Sequence, residues 1–190
     1  MSTIVTEERT LRADARRNRD RIVAASRELF ARLGPGAQMD EIAAHAGVGI
    51  GTVYRHFPTK EALLTEMVRS RFQQFSEIAS SVDDLDPREA LEHVMRRSAE
   101  AVEGDAGFQL AMMGSNQLEW DGIEEQKAAL SEAVTRIISR AVAAGVVREG
   151  FTSEDFGMLM CGMTATMYYK PGDADWRRYL ELILDGVCVA

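Results

Sequence analysis

Between residues 19 and 33 the apolar side chains Ile22, Val23, Leu29, Phe30 and Leu33 recur at three- and four-residue steps, with Ser26 in the same stripe and charge elsewhere. That period lines one face of a helix with residues that need burial. Gly34-Pro35-Gly36 stops it. Met39–Ala46 reads as a short helix opened by Asp40 and Glu41, whose carboxylates suit the positive end of the helix dipole, although Gln38 is a weak cap. Gly47-Val48-Gly49 breaks the pattern, and residues 50–57 predict a second short helix ended by Pro58. Thr59 then caps a long helix running from Lys60 towards Ser80.

An acidic turn follows at residues 83–87, after which Leu91, Val94, Met95, Ala99 and Val102 restore helical spacing until Gly104 and Gly107 interrupt it. Further helices are predicted at about residues 108–118, 123–144, 153–169 and 174–187, and no strand-like alternation exceeds four residues. The expected fold class is all-α, with about nine helices: a flexible arm over residues 1–13, a three-helix helix-turn-helix domain over 14–60 and a helical domain over 61–190.

Composition narrows the class. With 190 residues, 46% hydrophobic and 27% charged, the chain can bury a core, which excludes global disorder. Two cysteines, Cys161 and Cys188, are too few for a disulfide framework. The longest weakly polar stretch, residues 158–169, is too short for a membrane span. A soluble, cytoplasmic protein without a membrane partner is expected.

The net charge of -8 at first argues against a polyanionic partner. The charge is unevenly spread, however. Residues 1–60 carry ten Lys/Arg against seven Asp/Glu, whereas residues 61–190 carry twelve against 23. A basic front on an acidic rear lets the front face a polyanion while the rest repels nonspecific contact.

The front also contains the pattern MDEIAAHAGVGIGTVYRHF, residues 39–57, two short helices joined by a glycine-containing turn. That arrangement can present a helix to the DNA major groove. Ala43 is small where the helices approach, Gly47 sits in the turn, and Val48, Val53 and Phe57 supply inward contacts. Ile50, Gly51, Thr52, Tyr54, Arg55 and His56 then fall on the outer faces. Thr52, Tyr54 and His56 suit phosphate hydrogen bonds, and Arg55 can reach a base edge. Gly51 costs about 1 kcal/mol in a helix relative to Ala, so close backbone approach is its expected use. Lys60 opens the next helix at its positive end, where a nearby phosphate would offset the unfavourable charge.

GVGIGTVYRHFPTKEALL, following MDEIAAHA, is similar to the DNA-binding domain of the TetR family of transcriptional regulators, over residues 19–66. The resemblance implies that residues 50–57 form the recognition helix and that Thr52, Tyr54, His56 and Lys60 contact phosphates of a double-stranded operator. The ending DADWRRYLELILDGV is similar to the last helix of many members, where the final two helices build a four-helix homodimer interface. Trp176, Leu180, Ile183, Leu184 and Val187 form an apolar stripe, and Gly157, Cys161 and Ala165 a small-residue face on the preceding helix. Both fit a dimer interface or, equally, an intrachain core.

Six of the ten methionines lie at 112, 113, 158, 160, 163 and 167. Met95, Met112, Met113, Met163 and Met167, with Asn116, Gln117 and Trp120 as polar handles, are candidates to line a pocket for a small apolar or amphipathic effector. Ordinary core packing is the competing reading. His93 with Glu89 and Glu100 has helical spacing but no second His or Cys, so no metal or other cofactor is expected. No nucleophile elbow, P-loop, zinc-protease or dinucleotide motif occurs, which argues against an enzyme. The expected function is a homodimeric repressor released from a pseudo-palindromic operator by its effector. A constitutive regulator or activator with a self-filled rear core is the alternative, and an activity in the rear helices a distant third.

Overall fold

The computed structural model describes residues 2–114, 122–170 and 172–189. Among these are nine α-helices: α1 Ser2–Leu33, α2 Met39–Ala46, α3 Ile50–His56, α4 Lys60–Ser80, α5 Pro87–Glu103, α6 Ala106–Met113, α7 Glu124–Ala143, α8 Ser153–Tyr169 and α9 Trp176–Val187. The helix starts follow their caps. Thr59 Oγ1 accepts from the Ala62 amide at 3.0 Å, and Asp86 and Asp175 accept from Arg88 and Arg177, each at 2.9 Å. Thr152 and Asp155 cap α8 reciprocally. At α2, Gln38 is rescued by Glu41, whose Oε2 accepts from the Gln38 amide at 2.9 Å.

Two boundaries differ from the sequence reading. The backbone of residues 2–13, expected as a flexible arm, continues α1, because no glycine or proline precedes Gly34. The sixth helix starts at Ala106 because Asp105 caps it, and Gly107, expected as a break, lies inside it. A Cβ at Gly107 would overlap the end of Met67 and stand 3.3 Å from the Phe30 ring. Glycine here lets α6 press against α1 and α4 together.

One hydrophobic cluster joins the front and rear helices, with Ile22, Leu29 and Phe30 of α1, Met67 of α4, Met95 of α5, Met163 of α8 and Leu180 of α9 fully buried. The α9 stripe belongs to this core. Trp176, Leu180, Ile183, Leu184 and Val187 are all buried within the single chain, the intrachain alternative of their reading. A helix stripe records only that something covers it, and here the chain itself does. The apolar side chains left outside on these two helices are Met158 (66% exposed), Tyr169 and, on α9, Leu182 (52%).

Candidate functional site

The turn between α2 and α3 is fixed from both sides. Gly47 adopts φ 63°, the left-handed conformation, and the Val48 amide donates to the Ala43 carbonyl at 3.0 Å. Arg21 Nη2 of α1 donates to the Gly47 carbonyl at 3.1 Å and would lie 2.7 Å from an added Cβ, so glycine serves both conformation and space. Val53 and Phe57 are buried, as their spacing predicts, and Val48 is half-buried. Turned outward from α3 are Ile50 (41% exposed), Gly51, Tyr54 (49%) and Arg55, while Thr52 and His56 are half-buried. The sequence-predicted set, Lys60 of α4 excepted, therefore shares one short helix, with Val53 inward and Ile50, Gly51, Tyr54 and Arg55 outward.

Lys60 lies beside this helix but is already engaged. Its Nζ donates to the carbonyls of Pro35 at 2.6 Å and Ala37 at 2.8 Å and stands 5.5 Å from the Phe30 ring centroid. Burial pushes its pKa below the ordinary lysine range, partly opposed by the Glu61 carboxylate. Lys60 thus clasps the loop before α2 to the start of α4.

Further clasps join α1 to the site. His45 Nε2 meets Glu28 at 2.6 Å. Arg19 forms a two-pronged pair with Glu66 of α4, at 3.0 and 2.7 Å, and its guanidinium lies 5.3 Å from the Phe57 ring centroid. Arg71 of α4 bonds Asp105, whose Oδ1 also accepts from the Phe108 amide at 3.0 Å to cap α6. Arg27 Nε of α1 lies 3.9 Å from the same carboxylate, and its Nη2 donates to Ser70 at 3.2 Å. One buried carboxylate thus joins α1, α4 and α6. These charged residues escaped the sequence reading because their partners are 17 to 78 positions apart.

In the rear, faces of α4, α5, α6, α7 and α8 surround a cavity of about 660 Å³. Phe72 and Phe75 of α4 and Phe108 of α6 form an aromatic wall, with Phe75 and Phe108 edge to face at 5.8 Å between centroids. Val102, Met112, Leu130, Val134, Phe156 and Met160 continue it. Exposed lining residues, Lys127 and Ser131 on α7 and Glu154, Gly157 and Cys161 on α8, mark the mouth. Burial raises the Cys161 thiol pKa above its ordinary range.

A family model described as bacterial regulatory proteins, tetR family, matches residues 22–67, and one described as the C-terminal domain of SbtR-like transcriptional regulators matches residues 86–189. The transcriptional repressor KstR2 of Rhodococcus jostii is 29% identical over 178 residues, covering 84% of this chain and 85% of that one. The crystal structure of a TetR transcription regulatory protein from Mycobacterium vanbaalenii is 33% identical, with a TM-score of 0.64, and the match covers 94% of this chain and 99% of that one. This chain belongs to the TetR family of transcriptional regulators. A more distant TetR-like fold, that of the regulator FadR from Bacillus subtilis in complex with stearoyl-CoA, superposes with a TM-score of 0.67 at 24% identity over 87% of this chain and 97% of that one.

As a TetR-family member the chain is a DNA-binding regulator of a non-enzymatic family, and its helix-turn-helix is α2 and α3. Among its described residues no helix is long and apolar enough to cross a membrane. The methionine reading of the rear fares less well. Of the named candidates, Met112 lines the cavity, whereas Met95, Met163 and Met167 are packed in the core and Met113 is half-buried away from the lining. Asn116, Gln117 and Trp120 lie outside the described residues. Gly157 and Cys161, assigned to an interface from their small size, stand at the cavity mouth, and Ala165 is half-buried. The residues missed, Phe72, Phe75, Ser98 and Phe108, sit at ordinary helical spacing on three different helices, and only tertiary packing brings them together.

Proposed function

We propose that this TetR-family regulator is a homodimeric repressor that leaves a pseudo-palindromic operator when a small apolar or amphipathic molecule occupies the cavity. The observation that carries this reading is the sharing of α4. Phe72 and Phe75 form part of the cavity wall, while Lys60 at the other end of the same helix clasps the loop leading into α2. A ligand that shifts α4 shifts the recognition helix. Two recognition helices must lie about 34–36 Å apart, or a multiple of that, to read successive half-sites, so a small tilt lowers operator affinity.

On the DNA side, Arg55 reads a base edge, Thr52, Tyr54 and His56 hold phosphates, Lys60 offers a phosphate the third N–H that its two carbonyls leave over, and Ile50 and Gly51 pack close to the duplex. Met158, Cys161, Ala165 and Tyr169 of α8, with Leu182 of α9, form the dimer seam, because these residues remain on the outer faces once the α9 stripe is buried. The presence of stearoyl-CoA in the FadR crystals supports a cavity ligand with an apolar body.

The test is to select a duplex for this protein from a random pool and follow its binding by fluorescence anisotropy while a library of apolar and amphipathic small molecules is added. A fall in operator affinity, abolished when Phe108→Trp fills the cavity, supports the reading. Operator affinity unaffected by every compound that demonstrably enters the cavity overturns it.

A further inference from the structure

Ser98 lies on α5 one turn before Val102, and both face the cavity. Ser98 is 3% exposed. Serines inside helices commonly donate back to the carbonyl four residues earlier. Ser26 does so at 2.6 Å and Ser76 at 3.1 Å. The hydroxyl of Ser98 makes no such bond among the described residues and is not sealed among the buried unpartnered atoms, so it opens into the cavity. Other hydroxyls of the lining are engaged or wet: Thr164 donates to the Met160 carbonyl at 3.0 Å, Ser153 to Glu154 at 3.3 Å, and Ser131 is exposed at the mouth. A ligand that covers the Ser98 hydroxyl without bonding to it leaves it unpaired, at a cost of about 1–3 kcal/mol.

The surroundings of Ser98 define what could supply a partner. Besides Ser98, the buried lining comprises Phe75, Val102, Phe108, Val134, Phe156 and Thr164, with no charged group among them. Lys127 and Glu154, the charged residues of the lining, are exposed at the mouth. A carboxylate driven to the Ser98 end would lose water without gaining a counter-charge, whereas a neutral oxygen would gain a bond at little desolvation cost.

We infer that the effector is an apolar molecule whose buried end carries an uncharged oxygen, a hydroxyl or carbonyl, bonded to Ser98, which makes Ser98 the specificity-determining residue of the cavity. This rests on the proposed role of the cavity as the effector site. Any anionic group of such a molecule lies at the mouth beside Lys127.

The experiment displaces an anilinonaphthalene sulfonate dye from the full-length protein with dodecanol, with the methyl ketone of the same chain length, and with dodecyl chloride. The readout is the affinity ratio of each oxygenated probe to the chloride, which cancels general changes in the cavity. Ser98→Ala is expected to lower that ratio roughly 3- to 10-fold, the worth of one buried hydrogen bond. Ser98→Thr, which keeps the hydroxyl, is expected to leave it near the wild-type value. If Ser98→Ala fails to fold by circular dichroism, Ser98→Cys, with its weaker donor, takes its place with the same expected direction. A ratio unchanged by loss of the hydroxyl overturns the Ser98 inference alone. Failure of all three probes to displace the dye from the wild-type protein overturns the cavity as a ligand site as well.

Discussion

Asp105 is the point where the two halves of the chain can be weighed against each other. Its side chain is 2% exposed, caps α6, and faces Arg71 of α4, which is 11% exposed, and Arg27 of α1, which is 40% exposed. Arg27 Nε and Arg71 Nε are buried without hydrogen-bond partners; the carboxylate is the counter-charge of Arg71, whereas Arg27 is also partly solvated. Asp105→Asn keeps one oxygen, which can still cap α6, but sets an amide NH2 against Arg71 and removes the charge. The expected cost is about 1.5–3 kcal/mol, the scale of a buried hydrogen bond to a charged group, with Arg71 dominating because Arg27 is both farther and wetter. Asp105→Ala also loses the cap and leaves Arg71 buried alone, for about 3–5 kcal/mol.

Urea unfolding followed by circular dichroism at fixed protein concentration measures both variants. A double-mutant cycle of Asp105→Asn with Arg71→Met should return a coupling of at least about 1 kcal/mol. Because Phe108 is capped by Asp105 and also lines the cavity, Asp105→Asn should blunt the effector response by more than it weakens effector-free operator binding. A stability within about 0.5 kcal/mol of wild type for Asp105→Asn, or a coupling below that size, would refute the reasoning.

Arg55→Ala should weaken specific operator binding by about 1–3 kcal/mol and relax preference at one base position; equal losses on operator and random duplex by anisotropy would sink the base-reading role. Lys60→Met should weaken all sequences alike. It also carries a pH signature: the folded chain holds the Lys60 proton less tightly than the unfolded chain, so wild type should gain stability relative to Lys60→Met as pH climbs towards the ordinary lysine value of about 10.4. A flat difference in thermal midpoint across that alkaline window contradicts it. Leu182→Arg, at an exposed site on α9, should leave the circular dichroism spectrum intact, shift sedimentation towards monomer and lower operator affinity; an unchanged sedimentation profile removes Leu182 from the seam.

The front of this chain was legible because its signals are local. The helix-turn-helix depends on Gly47 in the left-handed region, on Val53 and Phe57 turned inward, and on Pro58 and Thr59 ending one helix and opening the next, all within twenty residues. The rear was legible as helices but not as a site, because a stripe reveals amphipathicity and not what covers it. Trp176, Leu180 and Val187 could have faced a second copy or the chain's own core, and the two cases share one period. Methionine misled for a related reason: its adaptability suits pockets and cores alike, so Met112 and Met163 read the same in sequence while one lines the cavity and the other is sealed. What distinguishes the cavity is its polar content. Ser98 interrupts an otherwise apolar face of α5 and opens its hydroxyl into the cavity, and Asp105 sits between two arginines that no local pattern pairs with it. In an all-helical protein, apolar periodicity specifies the fold, and the buried polar residues that break it mark where the fold is put to use.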